Sequence, residues 1–170
     1  IPQMKQFEIL QNCIVRNLPF FSYRMPYSHE IVTGIQTSSK IEQFVGFEHQ
    51  KNGFIVAPFD SKSSAETLFF NPDIHFTNEN IDSNELDKLL SITLDVKKSS
   101  TSTHETSQSE YLQQASTLID KLKNKELEKV VLSRAISNTS CNKNVAASVF
   151  EKLTKIYPHA FVSILYIPGQ

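Results

Sequence analysis

Leu127-Glu-Lys-Val-Val-Leu-Ser-Arg134 is a short run of β-branched and apolar residues with charges set in unusual places. Read as a strand, it sends alternate side chains to opposite sides. Lys129, Val131 and Ser133 then share one face, and Val130, Leu132 and Arg134 share the other. Apolar residues stand at the centre of both faces, which predicts a strand buried on both sides. Two readings of Lys129 follow. In one it lies at the strand mouth and reaches solvent along its aliphatic stem. In the other its amine faces a cavity, where loss of water favours the neutral form and makes it a general base.

The segments on either side extend the pattern. Ser107 with Glu110 three residues on matches a capping box. Behind it Tyr111, Ala115, Leu118, Ile119 and Leu122 form one helical stripe, expected to pack as core. Lys121-Leu-Lys-Asn-Lys125 reads as the solvated, cation-bearing end of that helix. After the polar Asn138–Asn144 loop, Val145, Val149, Leu153 and Ile156 mark another helix, closed by Pro158. Ala160 to Ile167 is the last predicted strand. Strand, helix, strand is a unit that joins neighbouring strands of one sheet.

Glu128-Lys-Val-Val-Leu-Ser-Arg134 resembles the signature strand of the chorismate-utilising enzymes. Isochorismate synthase, salicylate synthase, anthranilate synthase and aminodeoxychorismate synthase component I belong to that family. Tyr157-Pro-His-Ala-Phe-Val162 agrees with the same likeness. Upstream, Phe21-Ser-Tyr-Arg-Met-Pro26 and Gly53-Phe-Ile-Val-Ala-Pro-Phe59 are similar to the amino-terminal part of isochorismate synthases. Within the family, members that deliver water carry lysine at the signature position and those that deliver ammonia typically carry glutamine. Lys129 is on the water side. The resemblance therefore implies an isochorismate synthase with Lys129 as the catalytic base, acting on chorismate with Mg²⁺. Water adds at C2 while the C4 hydroxyl departs, for a quinone or a siderophore pathway. It also implies that the general-acid glutamate and the magnesium ligands lie beyond Gln170. On that reading the chain is the amino-terminal part of a larger enzyme, inactive by itself. Salicylate synthase, or anthranilate or aminodeoxychorismate synthase component I, is the alternative within the family. A non-catalytic α+β binding module with a solvated Lys129 is the alternative outside it.

Composition bounds these readings. A chain of 170 residues with 39% hydrophobic and 21% charged residues can build a domain with a real core. A formal net charge of -1 provides no attraction to nucleic acid or an anionic membrane. No apolar run approaches the ~20 residues of a membrane span, and no signal segment opens the chain. The two cysteines, Cys13 and Cys141, lack paired spacing and read as reduced thiols of a cytoplasmic protein, Cys13 on an apolar helix face. Histidines at 29, 49, 75, 104 and 159 show no i, i+4 metal pair. With only four glycines there is no phosphate-cradling loop, and Ser133 has no glycine elbow.

The predicted architecture is α+β, a mainly antiparallel sheet covered by helices, resembling half of the chorismate-utilising fold. Residues 1–98 form an amino-terminal substructure, 99–109 a Ser/Thr-rich mobile connector, and 110–170 the incomplete start of a chorismate-binding domain. In the first part, Gln6–Leu18 reads as a helix stopped by Pro19, and Phe20–Arg24 and Ile31–Gln36 as strands. Phe44–Glu48 and Gly53–Phe59 read as a hairpin across Asn52-Gly53. Leu68–Phe70 and Ile74–Thr77 are further strands, and Asp82–Ile92 a capped helix. A sheet ending in an unpartnered strand leaves an edge through which the chain could self-associate.

Overall fold

A computed structural model of the chain describes residues 4–47, 53–59, 66–96, 105–134 and 145–169. It is α+β with two antiparallel sheets and divides into two units, residues 1–99 with 142–170, and residues 100–141.

In the first unit helix α1 spans Gln6–Val15, and its apolar spacing buries Ile9, Leu10, Cys13 and Ile14. The helix stops before the residue at which the apolar periodicity ends. Asn17 turns into the left-handed region (φ 55°), and Pro19 follows. Strands β1 (Phe20–Arg24) and β2 (Ile31–Ile35) pair antiparallel, Ser22 opposite Thr33. β3 is the short piece Glu42–Gln43, β4 is Phe54–Val56, β5 is Leu68–Phe70 and β6 is Ile74–Thr77. Helix α2 (Ser83–Ser91) is capped by Asp82, whose carboxylate accepts from the amides of Asn84 and Glu85.

The larger sheet has the order β6-β2-β1-β7, where β7 is Val162–Tyr166. One face carries Phe20, Ile35, Ile74, Phe76 and Val162, which join Ile9, Leu10 and Phe150 in a single buried cluster. A polar relay crosses that face. Gln6 Nε2 donates to Thr33 Oγ1 at 2.7 Å, and the Ser22 and Thr33 hydroxyls lie 2.8 Å apart. Three buried polar side chains are thereby satisfied among themselves, as buried polar groups must be.

Helix α4 (Ala146–Ile156) covers this face beside α1, with Phe7 and Phe150 edge to face at 6.1 Å. Its inward residues are Ala147, Phe150 and Thr154, whereas Val145, Val149, Leu153 and Ile156, expected to face the core, are exposed. The helix is apolar on two sides. The sheet takes the side that offers one large ring beside a small residue, a combination that permits close approach and still fills volume.

Two strand expectations change. Of the predicted hairpin, Glu48 and turn residues 49–52 lie outside the described residues, and β4 pairs with β5 rather than with residues 44–47. β5 is also paired with β3, giving a small sheet β3-β5-β4. β5 takes the centre, with β3 and β4 on its two edges. The second change concerns the expected division of the chain. Residues 145–169 join the amino-terminal unit because β7 ladders onto β1 across the whole of both strands, Phe20 opposite Tyr166 and Arg24 opposite Val162. Of the predicted connector, residues 99–104 lie outside the described residues, and Gln108 and Ser109 already belong to helix α3 (Gln108–Lys123) of the second unit.

Arg24 closes this unit. It is 4% exposed, and its guanidinium donates to five backbone carbonyls, those of Met25, Ser28, Tyr157, Pro158 and Ala160. Tyr157 is the C-cap of α4, so the cation sits where the helix leaves its last carbonyls unpaired. It clasps the end of β1 to a loop more than a hundred residues away in sequence. Arg24→Ala therefore removes the guanidinium donor from all five, and among the described residues only the Met25, Tyr157 and Pro158 carbonyls keep a backbone partner, the amides of Ser28, Ala160 and Tyr27. It should destabilise the chain by about 3 kcal/mol or more in denaturant unfolding. Arg24→Lys should recover only part, since an ammonium with three donors cannot serve a fork-shaped set. Wild-type stability in Arg24→Ala would show that the clasp is dispensable.

Candidate functional site

Three places bear on function: Lys129, an aromatic groove on the larger sheet, and the buried titratable groups around α1.

Lys129 follows helix α3 in the second unit. The helix begins as its sequence requires, with the Ser107 hydroxyl accepting from the Glu110 amide at 3.2 Å and Glu110 reaching back to the Ser107 amide at 3.3 Å. It ends at Asn124, after which Lys125 adopts a positive φ of 59°. The run Leu127–Arg134 has no ladder partner among the described residues and forms no strand. The expected double burial is thus not found. Leu127 and Leu132 line a depression of about 530 Å³ with Gln113, Thr117 and Leu118 of α3, and Val130 is half-buried. Lys129, Val131 and Ser133 are exposed, Val131 by 82%. Arg134 extends back over the Tyr111 ring, 5.5 Å from its centre. Alternation survives only from Lys129 to Ser133: Val130 and Leu132 are half-buried and Lys129, Val131 and Ser133 are open, whereas Leu127, of the same parity as Lys129, is half-buried and lines the depression. The reason is general, since a strand is buried on two faces only when neighbours supply both the ladder and the covering layers.

The α3 stripe behaves likewise. Tyr111, Ala115, Leu118 and Leu122 are half-buried and Ile119 is exposed, so the stripe expected to be core has no fully buried member.

The aromatic groove lies on the face of the larger sheet turned away from α1 and α4. Phe21 and Tyr23 of β1 stack in parallel at 6.2 Å, and Phe54 of β4 stacks on Phe21 at 4.9 Å. Phe161 stands 5.9 Å from Tyr23. With Met25, Gly53 and His75 they enclose about 400 Å³. Gly34 makes the arrangement possible. A Cβ there would lie 2.3 Å from the tip of the Phe21 ring, so the ring lies flat on the strand only over glycine. The alternation of Phe20–Arg24 was enough to place Phe21 and Tyr23 together. Nothing local in the sequence brings Phe54, His75 and Phe161 to them, because each comes from a different part of the chain.

The remaining chemistry is sparse. Among the described residues no group of three or more His, Cys, Asp or Glu side chains converges. The rings of His159 and Tyr27 lie 4.7 Å apart, tilted by 43°. Cys13 is a free, buried thiol whose pKa is pushed up from 9.0 to about 12 by burial, with Arg16 opposing weakly. Burial also raises the Tyr166 phenol, which donates to Asn17 Oδ1 at 3.2 Å. Cys141 lies outside the described residues.

The sign of the Cys13 shift sets a pH dependence. A thiol held protonated by the fold stabilises it fully below pH 9.0 and loses that contribution as pH climbs toward about 12. Chemical denaturation should therefore show falling stability over that window, with a flatter slope in Cys13→Ala. Native Cys13 should also resist alkylation near neutral pH, and rapid labelling of its peptide would contradict the burial.

No family model, curated protein or solved structure matches this chain.

Proposed function

We propose that this chain is the amino-terminal part of an isochorismate synthase, with Lys129 as the base that activates water for addition at C2 of chorismate. The reading rests first on Glu128-Lys-Val-Val-Leu-Ser-Arg134, whose likeness to the family signature places a lysine at the position that separates water from ammonia chemistry. The structural observation that carries it is the open side of the same run. Val131 is 82% exposed two residues from Lys129. Covering that side chain would bury apolar surface beside Lys129. Once that face is covered by further polypeptide, Lys129 loses water, and its amine becomes a better base.

The displacement needs a base on the attacking side and an acid on the leaving side. Lys129 serves the first role. No acid is assigned here: Glu110 is engaged with the Ser107 amide at 3.3 Å, and Glu126 and Glu128 are exposed. The acid and the ligands of Mg²⁺ belong, on this reading, to the remainder of the enzyme. A second reading is favoured by one specific observation, the exposure of Lys129: a non-catalytic α+β module with a solvated lysine.

The enzyme containing this chain, supplied with chorismate and Mg²⁺, should form isochorismate. Formation of salicylate and pyruvate would move the assignment to salicylate synthase. Lys129→Ala should lower turnover by roughly 10²–10⁴-fold with folding intact. Near-normal turnover, or an NMR titration of Lys129 in the enzyme identical to that of a free lysine, would favour the non-catalytic module. The 170-residue chain by itself should give no chorismate isotherm by calorimetry, with or without Mg²⁺.

A further inference from the structure

The run that bears Lys129 has no ladder among the described residues, so side-chain contacts with α3 set its place. Leu127 and Leu132 line the depression on that helix with Thr117 and Leu118. Apolar contacts of this kind hold a segment to a face, but they are non-directional and leave it free to slide or roll. Arg134 adds a directional contact. Its guanidinium carbon stands 5.5 Å from the centre of the Tyr111 ring, within the range of a cation–π interaction. Tyr111 lies near the start of α3, four residues past the N-cap Ser107. The helix dipole disfavours a cation at that end, and Glu110 beside the tyrosine is turned to the Ser107 amide. The face of the ring is therefore the feature that holds Arg134 there.

We propose that Arg134 is a positioning residue for Lys129: seated on Tyr111, it fixes the rotation and register of the run on α3 and so aims the lysine side outward. The inference rests on the reading of Lys129 as the base, and deepens it. In an extended chain successive side chains point to opposite sides, and the run alternates in exposure from Lys129 to Ser133. Lys129 and Arg134 are of opposite parity, so holding Arg134 back over α3 turns Lys129 away from the helix. A slip of one residue would exchange the two sides and set Lys129 against α3. Arginine suits the role, because its planar guanidinium stacks on a ring as an ammonium does not. Arg134 is itself exposed, and a cation–π contact at an exposed site biases a population by roughly two- to fivefold.

Backbone relaxation measured by NMR on the 170-residue chain reads this placement without any catalysis. Arg134→Gln and Tyr111→Leu should each loosen the amides of residues 129–134 while α3 stays ordered. Tyr111→Phe should match the unmodified chain, and Arg134→Lys should recover part of the order. Unchanged mobility of the run in Arg134→Gln overturns the proposal, and because Arg134 is exposed that variant decides even where Tyr111→Leu unfolds. In the enzyme, Arg134→Gln should lower kcat roughly two- to fivefold with KM nearly unchanged. Tyr111→Leu/Arg134→Gln should be no worse than the more impaired single variant, since both remove one contact. Strictly additive losses, or a change confined to KM, refute the positioning role. The two failures read differently. Ordinary turnover in Lys129→Ala removes the base and with it the role of Arg134, whereas an ordered run in Arg134→Gln removes the fastening alone.

Discussion

The first unit depends on strand β1 being laddered on both sides. β2 reaches it through a short turn, but β7 reaches it from more than a hundred residues away, and every residue from Phe20 to Arg24 has a partner on each side. A strand paired on both edges must also be covered on both faces if it is apolar on both. Phe20 supplies one face, fully buried under the helices, and Phe21 the other, stacked against Phe54. The helical layer, the small sheet and the groove are consequences of that requirement.

Long-range closure of this kind carries an entropic cost that grows slowly with loop length, so the distance in sequence is less of an obstacle than it looks. What it demands is a fastening at the far end. Arg24 provides it by directing one guanidinium into carbonyls from both the Met25–Ser28 turn and the Tyr157–Ala160 loop. Among the described residues no carboxylate pairs with the cation; oriented peptide dipoles surround it instead, an arrangement suited to a helix C-terminus. The geometry explains why a charged residue can end a central strand at almost no exposure.

The second unit shows the opposite balance. Helix α3 has its capping box and its dipole-matched lysines, all local features, yet none of its residues is fully buried. The run from Lys129 to Ser133 keeps its alternation while lacking a ladder. Local preference there is strong and long-range satisfaction is weak. That combination is what links the exposed Val131 face to the functional proposal, and it sets this unit apart from β1, where both levels agree.

Much of the local structure was legible in the chain. Ser107 with Glu110, and Asp82 ahead of Ser83, mark helix starts because a side-chain oxygen can reach only the amides two and three residues on. Pro19 bounds α1, and the alternation of Phe20–Arg24 assigns its two faces, because a strand has no freedom in the matter. Tertiary structure alone decided the rest: that β5 and not residues 44–47 pairs with β4, that α4 turns Phe150 rather than Val149 inward, and that residues 145–169 join the first unit. Periodicity states that a face is apolar, but which of two apolar faces is buried depends on the shape of what it meets. A hydrogen-bonding edge likewise accepts any strand of matching spacing, so pairing is settled only when all the competing partners are present in three dimensions.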